Sequence, residues 1–247
     1  MYMTIQGIVL RVTDYNDRDA LLTLLTTRHG KLTVKARGLR RKNSPLIAPC
    51  QLLAFGEFTL FEYRGQYTVN EAHSIELFTP LRRDLTKLSL GTYFAQAAEV
   101  LSQEDMPSPE LQSLLLNCLY ALSKLNLPES QVKAVFELRA ACLSGYTPDL
   151  FGCHICGNQN PERFDLSAGQ LECASCRNRE SNGIRIPVTP AVLEAMRYIC
   201  LCDPKRLFSF RLGEETLQKL SALTEAYLTT QLERGFSTLE FYKSLMI

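Results

Sequence analysis

The residues of this 247-residue chain best suited to chemistry are four cysteines arranged as two pairs, Cys153-x2-Cys156 and Cys173-x2-Cys176. A CxxC turn places two thiolates on one side of a metal ion, and two such turns about 15–20 residues apart complete a tetrahedral sulfur site. Gly157 follows the first pair, where backbone freedom helps a tight turn. Because four cysteines leave no open coordination position, the spacing predicts one structural Zn²⁺ per chain and no catalytic metal.

Two other interpretations of these cysteines stay open, namely four free thiols or a single redox-active CxxC. The redox interpretation has less support because there are two pairs and neither follows a βαβ pattern. The remaining cysteines lack ligand spacing and are predicted to be buried small hydrophobes: Cys50, Cys118, Cys142, Cys200 and Cys202. No phosphate-binding loop or nucleophile elbow occurs, and none of the three histidines adjoins a candidate nucleophile, so the sequence predicts that the protein is not an enzyme.

A second group of candidate functional residues lies in residues 28–42, here called the basic segment. It contains seven basic residues and no acidic one: Arg28, Lys31, Lys35, Arg37, Arg40, Arg41 and Lys42. The formal net charge of the chain is only +1, so the rest of the chain has 20 basic against 26 acidic residues, a net of −6. Such local positive charge suits the binding of a polyanion. A solvated charged face is the alternative, but the absence of interleaved acids favours a nucleic-acid interface.

Residues 1–80 must position the basic segment, and their pattern is that of β-structure. Five short apolar or alternating runs are of strand length, and Arg64-Gly65 predicts a hairpin between the last two. Five strands in about 80 residues predict a small closed barrel of the OB type, with a small β-sandwich as the alternative. Single-strand-binding barrels stack bases on aromatic rings. The candidate platforms, most of which are expected in the core, are Tyr15, Phe58, Phe61, Tyr63 and Tyr67.

After Pro80 the apolar period becomes helical, which makes the predicted fold class α+β. We expect an OB-type domain over residues 1–80 and a helical bundle whose two parts cover residues 81–149 and 187–247. The cysteine segment, residues 150–186, is inserted between these parts; it is rich in Gly, Asn and Ser and has little core-forming periodicity. Metal binding is therefore expected to hold it together.

Composition places few further limits on function. The apolar fraction is 46% and the charged fraction 21%, which are ordinary values for a globular protein. No apolar run approaches the ~18 residues of a membrane span. The N-terminal residues resemble a strand and not a signal peptide, so we expect a cytoplasmic protein with no membrane partner.

Several stretches of the chain resemble one protein family. "GKLTVKARGLRR", then "FELRAACLSGYTPDLFGCHICG" and "AGQLECASC", are similar to the bacterial RecO family of DNA repair and recombination mediators, in order and over nearly the whole chain. The resemblance implies an OB fold, a helical domain and a zinc segment within it. It also implies binding of single- and double-stranded DNA, annealing of complementary strands, and action with RecR and RecF to load RecA onto coated strands. A zinc-ribbon transcription or translation factor is the alternative function.

Members of the resembled family also dock the C-terminal tail of single-stranded DNA-binding protein, which is acidic and ends in an aromatic residue. Capture of such a tail needs an apolar pocket edged by cations. In the helix expected from Glu129 to Ser144, an apolar stripe is flanked by Lys133 and Arg139. These two residues are the predicted tail-binding cations, and the alternative is that the stripe belongs to the bundle core and the cations are solvated.

Overall fold

The computed structural model describes residues 1–176 and 183–246. These residues form two compact units. Unit 1 comprises residues 1–126 and 236–246 of the described chain, and unit 2 comprises residues 127–235 apart from 177–182. The two units meet at Asn126 and Gly235, so the first two α-helices that follow residue 80 belong by packing to the same unit as the barrel.

Unit 1 is built on a closed five-stranded barrel, as the alternating pattern predicts. Neighbouring strands follow the order β1-β2-β3-β5-β4, and β4 returns to pair with β1. Of the strand pairs described in this barrel, β3–β5 is parallel and the others are antiparallel. The predicted hairpin at Arg64-Gly65 connects β4 to β5, with Arg64 and Gly65 both at positive φ. The strands are β1 Tyr2–Asp14, β2 Ala20–Thr26, β3 Gly30–Ala36, β4 Phe55–Tyr63 and β5 Gln66–Glu76.

Three helices complete unit 1: α1 Leu85–Leu101, α2 Pro109–Lys124 and α6 Ser237–Ser244. Helix α1 contacts β1, β2, α2 and α6. Gln112 of α2 donates a 2.8 Å hydrogen bond to the carbonyl oxygen of Leu25 in β2. Ile8, Leu10 and Leu25 of β1 and β2 are buried although they are not part of the barrel core, and α1 and α2 pack against these two strands.

Unit 2 combines three helices with a small sheet. The helices are α3 Glu129–Leu143, close to the predicted bounds, α4 Pro190–Leu201 and α5 Glu214–Gln231. Thr189 caps α4, since its hydroxyl oxygen accepts from the N–H of Val192. The strands are β6 Asp149–Cys153, β7 Arg163–Asp165, β8 Gln170–Glu172 and β9 Arg185–Pro187, in the order β6-β8-β7-β9. Residues 177–182 of the predicted cysteine segment lie outside the described residues.

The helices of both units are typical of globular cores. Across the described ranges 1–176 and 183–246, no helix combines the length and the apolar character that crossing a bilayer requires.

Candidate metal centre and nucleic-acid interface

The four predicted metal-ligating cysteines come together at one end of the small sheet. Their Sγ atoms all lie within 4.8 Å of one another, and those of Cys156 and Cys173 are 3.8 Å apart. A tetrahedral site with metal–sulfur bonds of about 2.3 Å has sulfur–sulfur edges of about 3.8 Å. The set Cys153, Cys156, Cys173 and Cys176 therefore fits a metal ion held by four sulfurs.

Backbone groups around Cys153 favour the thiolate that a metal ion requires. Burial disfavours ionisation of this thiol, but hydrogen bonds from the N–H groups of Cys156, Cys173 and Ile155 together lower its pKa to about 6. At Cys173 a hydrogen bond from Asn158 lowers the pKa, yet burial and the neighbouring thiols outweigh it and raise the pKa to about 12. Neighbouring thiolates repel one another, so the four clustered sulfurs resist full ionisation. A cation among them would offset that repulsion.

Packing supports the metal segment in addition to its cysteines. Phe164 in β7 is fully buried and meets the Tyr227 ring of α5 edge-on at 5.2 Å. Glu172, next to Cys173, is 2% exposed and accepts a 2.8 Å ion-pair hydrogen bond from Arg185. The segment therefore has a small core of its own, which its composition did not predict because three-residue strands carry almost no periodic signal.

The basic segment occupies β3 and the turn that follows it. Along β3 the buried residues Leu32, Val34 and Ala36 alternate with Lys31, Thr33 and Lys35, so the two lysines lie on the outer surface of the barrel. Beyond the strand, Leu39 is buried while its basic neighbours are exposed: Arg37, Arg40, Arg41 and Lys42. The turn is thus anchored by one apolar side chain and presents four cations to solvent.

Asp19, in the β1–β2 loop, fixes this turn. Its carboxylate accepts a 2.9 Å hydrogen bond from the N–H of Gly38 and pairs with Lys35 at 3.2 Å. The Gly38 N–H, Asn16 and Lys35 together lower the pKa of Asp19 to about 2. The N–H of Arg40 also donates to the carbonyl oxygen of Arg18 at 3.1 Å. The exposed cations of the turn therefore project from a backbone that the β1–β2 loop holds in place.

Three of the seven predicted DNA-binding cations already have protein partners. Lys35 pairs with Asp19, and Arg40 pairs with Asp14 at 3.0 Å. The ammonium group of Lys31 donates to the carbonyl oxygen of Glu99 at 3.0 Å. The sequence did not predict these partners because they are distant in the chain. Within the described residues, no acidic group lies at ion-pair distance from the other four: Arg28, Arg37, Arg41 and Lys42.

These four cations divide between the two ends of β3. Arg28 precedes the strand and lines a cavity of about 610 Å³ that also includes His29 and Tyr67. A seven-residue strand is roughly 20 Å long, so Arg28 lies well away from the turn after Ala36. The structure therefore concentrates the unpaired charge at one end, and we call Arg37, Arg41 and Lys42 the cation cluster.

The cation cluster adjoins residues of β5 that sequence reasoning missed. Arg37 and Arg41 line a cavity of about 480 Å³ together with Asn70, Glu71 and His73. The parallel pairing of β3 with β5 places these residues side by side, and no local pattern indicates a pairing between strands so far apart in sequence. The cavity offers amide and imidazole groups within the same site as two free guanidinium groups.

Only some of the candidate aromatic platforms are accessible. Phe58 is fully buried in the barrel core and is excluded as a platform. Tyr15 is 56% exposed, and the Lys35 ammonium lies 4.3 Å from the centroid of its ring. Phe61 and Tyr63 are exposed on β4, whereas Tyr67 is half-buried. Tyr15 is thus an exposed ring in the loop that holds the turn of the cation cluster.

The predicted tail-binding cations of α3 require correction. Lys133 is only 4% exposed and its ammonium contacts Glu137 at 3.0 Å and Glu225 at 2.8 Å. Arg139 donates to the carbonyl oxygens of Ile199 and Cys200 at the end of α4. Val132, Val135 and Phe136 of the stripe are fully buried in the bundle, and both cations are engaged by protein groups. The sequence was misleading because the depth of a basic residue depends on the helices packed around it.

Comparisons with known proteins extend over the whole chain. Residues 1–78 match the family model described as Recombination protein O N terminal, and residues 82–240 match Recombination protein O C terminal. A curated relative from Acetivibrio thermocellus, named DNA repair protein RecO, is 31% identical over 99% of this chain and 97% of its own. Relatives of the same name from Alkaliphilus metalliredigens and Bacillus subtilis are 30% and 29% identical, over 99% and 98% of this chain and 100% and 96% of their own.

These matches confirm the family that the sequence motifs indicated. They favour a DNA repair protein over a zinc-ribbon transcription or translation factor, and they agree with the prediction that the protein is not an enzyme. The chain belongs to the RecO family of DNA repair proteins.

Proposed function

We propose that this protein is a recombination mediator that binds single- and double-stranded DNA, anneals complementary strands and helps to load RecA onto coated single strands. The observation that carries the proposal is the cation cluster, in which Arg37, Arg41 and Lys42 are exposed and have no acidic partner within the described residues. Cations already neutralised by carboxylates gain little from phosphate, whereas free guanidinium groups release counterions from DNA when they bind.

The arrangement suits contacts to the DNA backbone more than contacts to base edges. Guanidinium groups on a fixed turn neutralise phosphates, and an exposed ring such as Tyr15 accepts any base by stacking. Neither contact distinguishes one sequence from another. A protein that anneals arbitrary complementary strands requires this kind of sequence-independent binding.

The test is DNA binding by the double variant Arg37→Ala/Arg41→Ala at several salt concentrations. We expect weaker binding of every sequence, and a salt slope on single strands lower by about 0.7 for each lost contact. Arg83→Ala/Lys124→Ala is the matched control, because it removes two exposed cations of the same unit, one just before α1 and one at the end of α2, and changes the net charge equally. Equal loss of affinity in both double variants would mean that DNA binding depends on the net charge of the protein and not on the position of the cation cluster.

We propose that the metal held by the four cysteines is Zn²⁺. A closed set of four thiolates suits Zn²⁺ in a structural role, in which the ion links the two CxxC turns. Cys153, Cys156, Cys173 and Cys176 would hold it, and the ion would supply folding free energy. Metal analysis of protein purified without chelator should give one zinc per chain; another metal, or none, would contradict this assignment.

We propose a different location in unit 2 for the tail of single-stranded DNA-binding protein. A cavity of about 790 Å³ runs along α4 and the loop after it, and its lining includes two acidic residues, Asp203 and Glu194, of which Glu194 pairs with Arg197. Leu201 is 68% exposed, and the rings of Tyr198 and Phe210 meet edge-on at 5.5 Å. Arg206 lies at the cavity and is exposed, so it can pair with a carboxylate. An acidic peptide with a terminal aromatic residue matches these features.

Titration of a labelled tail peptide tests this location. We expect Arg206→Ala to weaken peptide binding, while Arg234→Ala, which removes another exposed cation from unit 2, leaves it unchanged. Annealing of naked DNA should persist in both variants. Unchanged peptide affinity in Arg206→Ala would remove the cavity from consideration.

We also propose RecR as a partner, together with RecF, and a cytoplasmic site of action at the nucleoid. The support is membership in the RecO family and the resemblance noted above, and no residues are assigned to these contacts. Co-purification with RecR from a cell extract, compared between nuclease-treated and untreated samples, separates a direct protein contact from a shared DNA tether.

A further inference from the structure

Two thiols outside the metal site lie in contact in unit 2. Cys142 is the next-to-last residue of α3 and Cys200 the next-to-last residue of α4, and their Sγ atoms are 3.6 Å apart. Cys50 and Cys118 are buried as the sequence predicts, but these two cysteines are only half-buried. A small oxidant can therefore reach them.

Arg139 holds the two helix ends together independently of the thiols. Its guanidinium group donates to the carbonyl oxygens of Ile199 and Cys200 at 3.1 and 2.5 Å. These carbonyls end α4 and lack helical partners, so the arginine satisfies them while it fixes α4 against α3. The same group contributes positive charge near Cys142, whose pKa is lowered mainly by its hydrogen bond with Cys200. The pair is thus pre-positioned and one member favours the thiolate.

We propose that Cys142 and Cys200 form a reversible modification site that a peroxide oxidises to a disulfide. The Cys142 thiolate attacks one oxygen of hydrogen peroxide, which breaks the O–O bond, forms a sulfenic acid and, with one proton, releases water. The Cys200 sulfur then attacks the sulfenic sulfur, forms the S–S bond and releases a second water. Two thiols and one peroxide thus give one disulfide and two waters, and a thiol reductant reverses the change.

The disulfide is sterically accessible and has a structural consequence. Bond formation needs the sulfurs to approach from 3.6 Å to about 2.05 Å, a short movement between side chains on two adjoining helix ends. The cross-link would close a loop over residues 143–199, which contains all four candidate metal ligands. Oxidation would thereby tie together the two helices that precede and follow the metal segment.

The experiment uses the full-length, metal-loaded protein treated with hydrogen peroxide, then alkylated and mapped by mass spectrometry. We expect a peptide pair joined through Cys142 and Cys200 with loss of two hydrogen atoms, reversed by a thiol reductant, while the metal stays bound. Cys142→Ser and Cys200→Ser should each abolish this pair. Cys202→Ser is the matched control, because it removes a third half-buried thiol near the same helix end and should leave the pair intact.

Three results would overturn the proposal. One is recovery of Cys142 and Cys200 as free thiols at peroxide doses that release the metal from its own cysteines. Another is a main cross-link between Cys142 and Cys202. The third is oxidation of Cys142 to sulfinic acid without any cross-link. Circular dichroism of each serine variant before treatment shows whether loss of the pair reflects misfolding, and a variant that retains the parent spectrum gives a decisive result.

Discussion

Replacement of Lys133 by Met would remove the cation from a buried cluster of acidic groups in unit 2. The ammonium contacts Glu137 at 3.0 and 3.2 Å, Glu225 at 2.8 Å and the carbonyl oxygen of Ser221 at 3.2 Å. Glu137 is fully buried, so without the lysine its carboxylate would keep the 2.8 Å hydrogen bond from the Thr224 hydroxyl but lose the ammonium beside it. Loss of one member of a buried ion pair costs about 3–5 kcal/mol, and we expect this range.

The matched control is Lys219→Met. Lys219 pairs with Glu215 at the same i,i+4 spacing, but both side chains are more than half exposed. Exposed pairs of this kind contribute about 0.3–0.5 kcal/mol. Urea unfolding followed by circular dichroism should therefore separate the two variants clearly, and hydrogen exchange in α3 and α5 should locate the difference to unit 2.

The effect should also depend on pH. Burial raises the pKa of Glu137 even in the parent protein, and removal of Lys133 takes away a cation that opposes this rise. A carboxyl group with a raised pKa in the folded state binds more protons when folded, so its contribution falls as the pH rises. The destabilisation by Lys133→Met should therefore be largest at neutral pH and shrink as the pH falls toward about 4.5.

A small, pH-independent effect would refute this reasoning. If Lys133→Met lost as little unfolding free energy in urea as Lys219→Met, Lys133 would be a solvated cation. The docking role predicted for it from the sequence would then again be tenable. Glu137→Gln in the Lys133→Met background is a further check, because a neutral amide needs no ammonium partner and should recover part of the lost stability.

Three further predictions concern other parts of the chain. Cys173→Ser should abolish metal binding and increase hydrogen exchange around the CxxC turns, while the barrel keeps its protection, since metal supplies ~10 kcal/mol in small zinc peptides; retained metal would contradict this. Asp19→Asn should lower the protection of the Gly38 N–H against exchange relative to a free amide at the same pH, and the parent should lose protection in the same way as the pH falls from about 4 through the Asp19 pKa of about 2. Gly30→Ala should destabilise unit 1 by more than about 1 kcal/mol in urea unfolding, because Gly30 has φ +59° and a Cβ there would overlap the carbonyl oxygens of Met106 and Gln103.

Local patterns in the sequence were sufficient for the barrel and the metal ligands. Strand alternation depends on neighbouring residues, so the five strands and the Arg64-Gly65 hairpin were predictable. The CxxC spacing likewise specifies how two thiolates share a turn, and the four sulfurs lie together as expected. In both cases the information is contained within a few adjacent residues.

Long-range packing limited the prediction of individual cations. Lys35 and Arg40 belong to the basic segment, but the acids that pair with them, Asp19 and Asp14, lie in and before the β1–β2 loop. Lys133 appeared to flank an apolar stripe, yet α5 covers it and supplies Glu225. The sequence gives the number of charged residues in a segment. Only the tertiary contacts show which of these residues have no partner of opposite charge.

The most direct test of the proposed function is annealing of two complementary labelled oligonucleotides, followed by fluorescence energy transfer, first naked and then coated with single-stranded DNA-binding protein. The parent should accelerate annealing of both forms, Arg37→Ala/Arg41→Ala should lose most of that acceleration, and Arg83→Ala/Lys124→Ala should keep it, because only the first removes free cations of the cluster. Absence of acceleration by the parent protein, or full acceleration by Arg37→Ala/Arg41→Ala, would contradict the account.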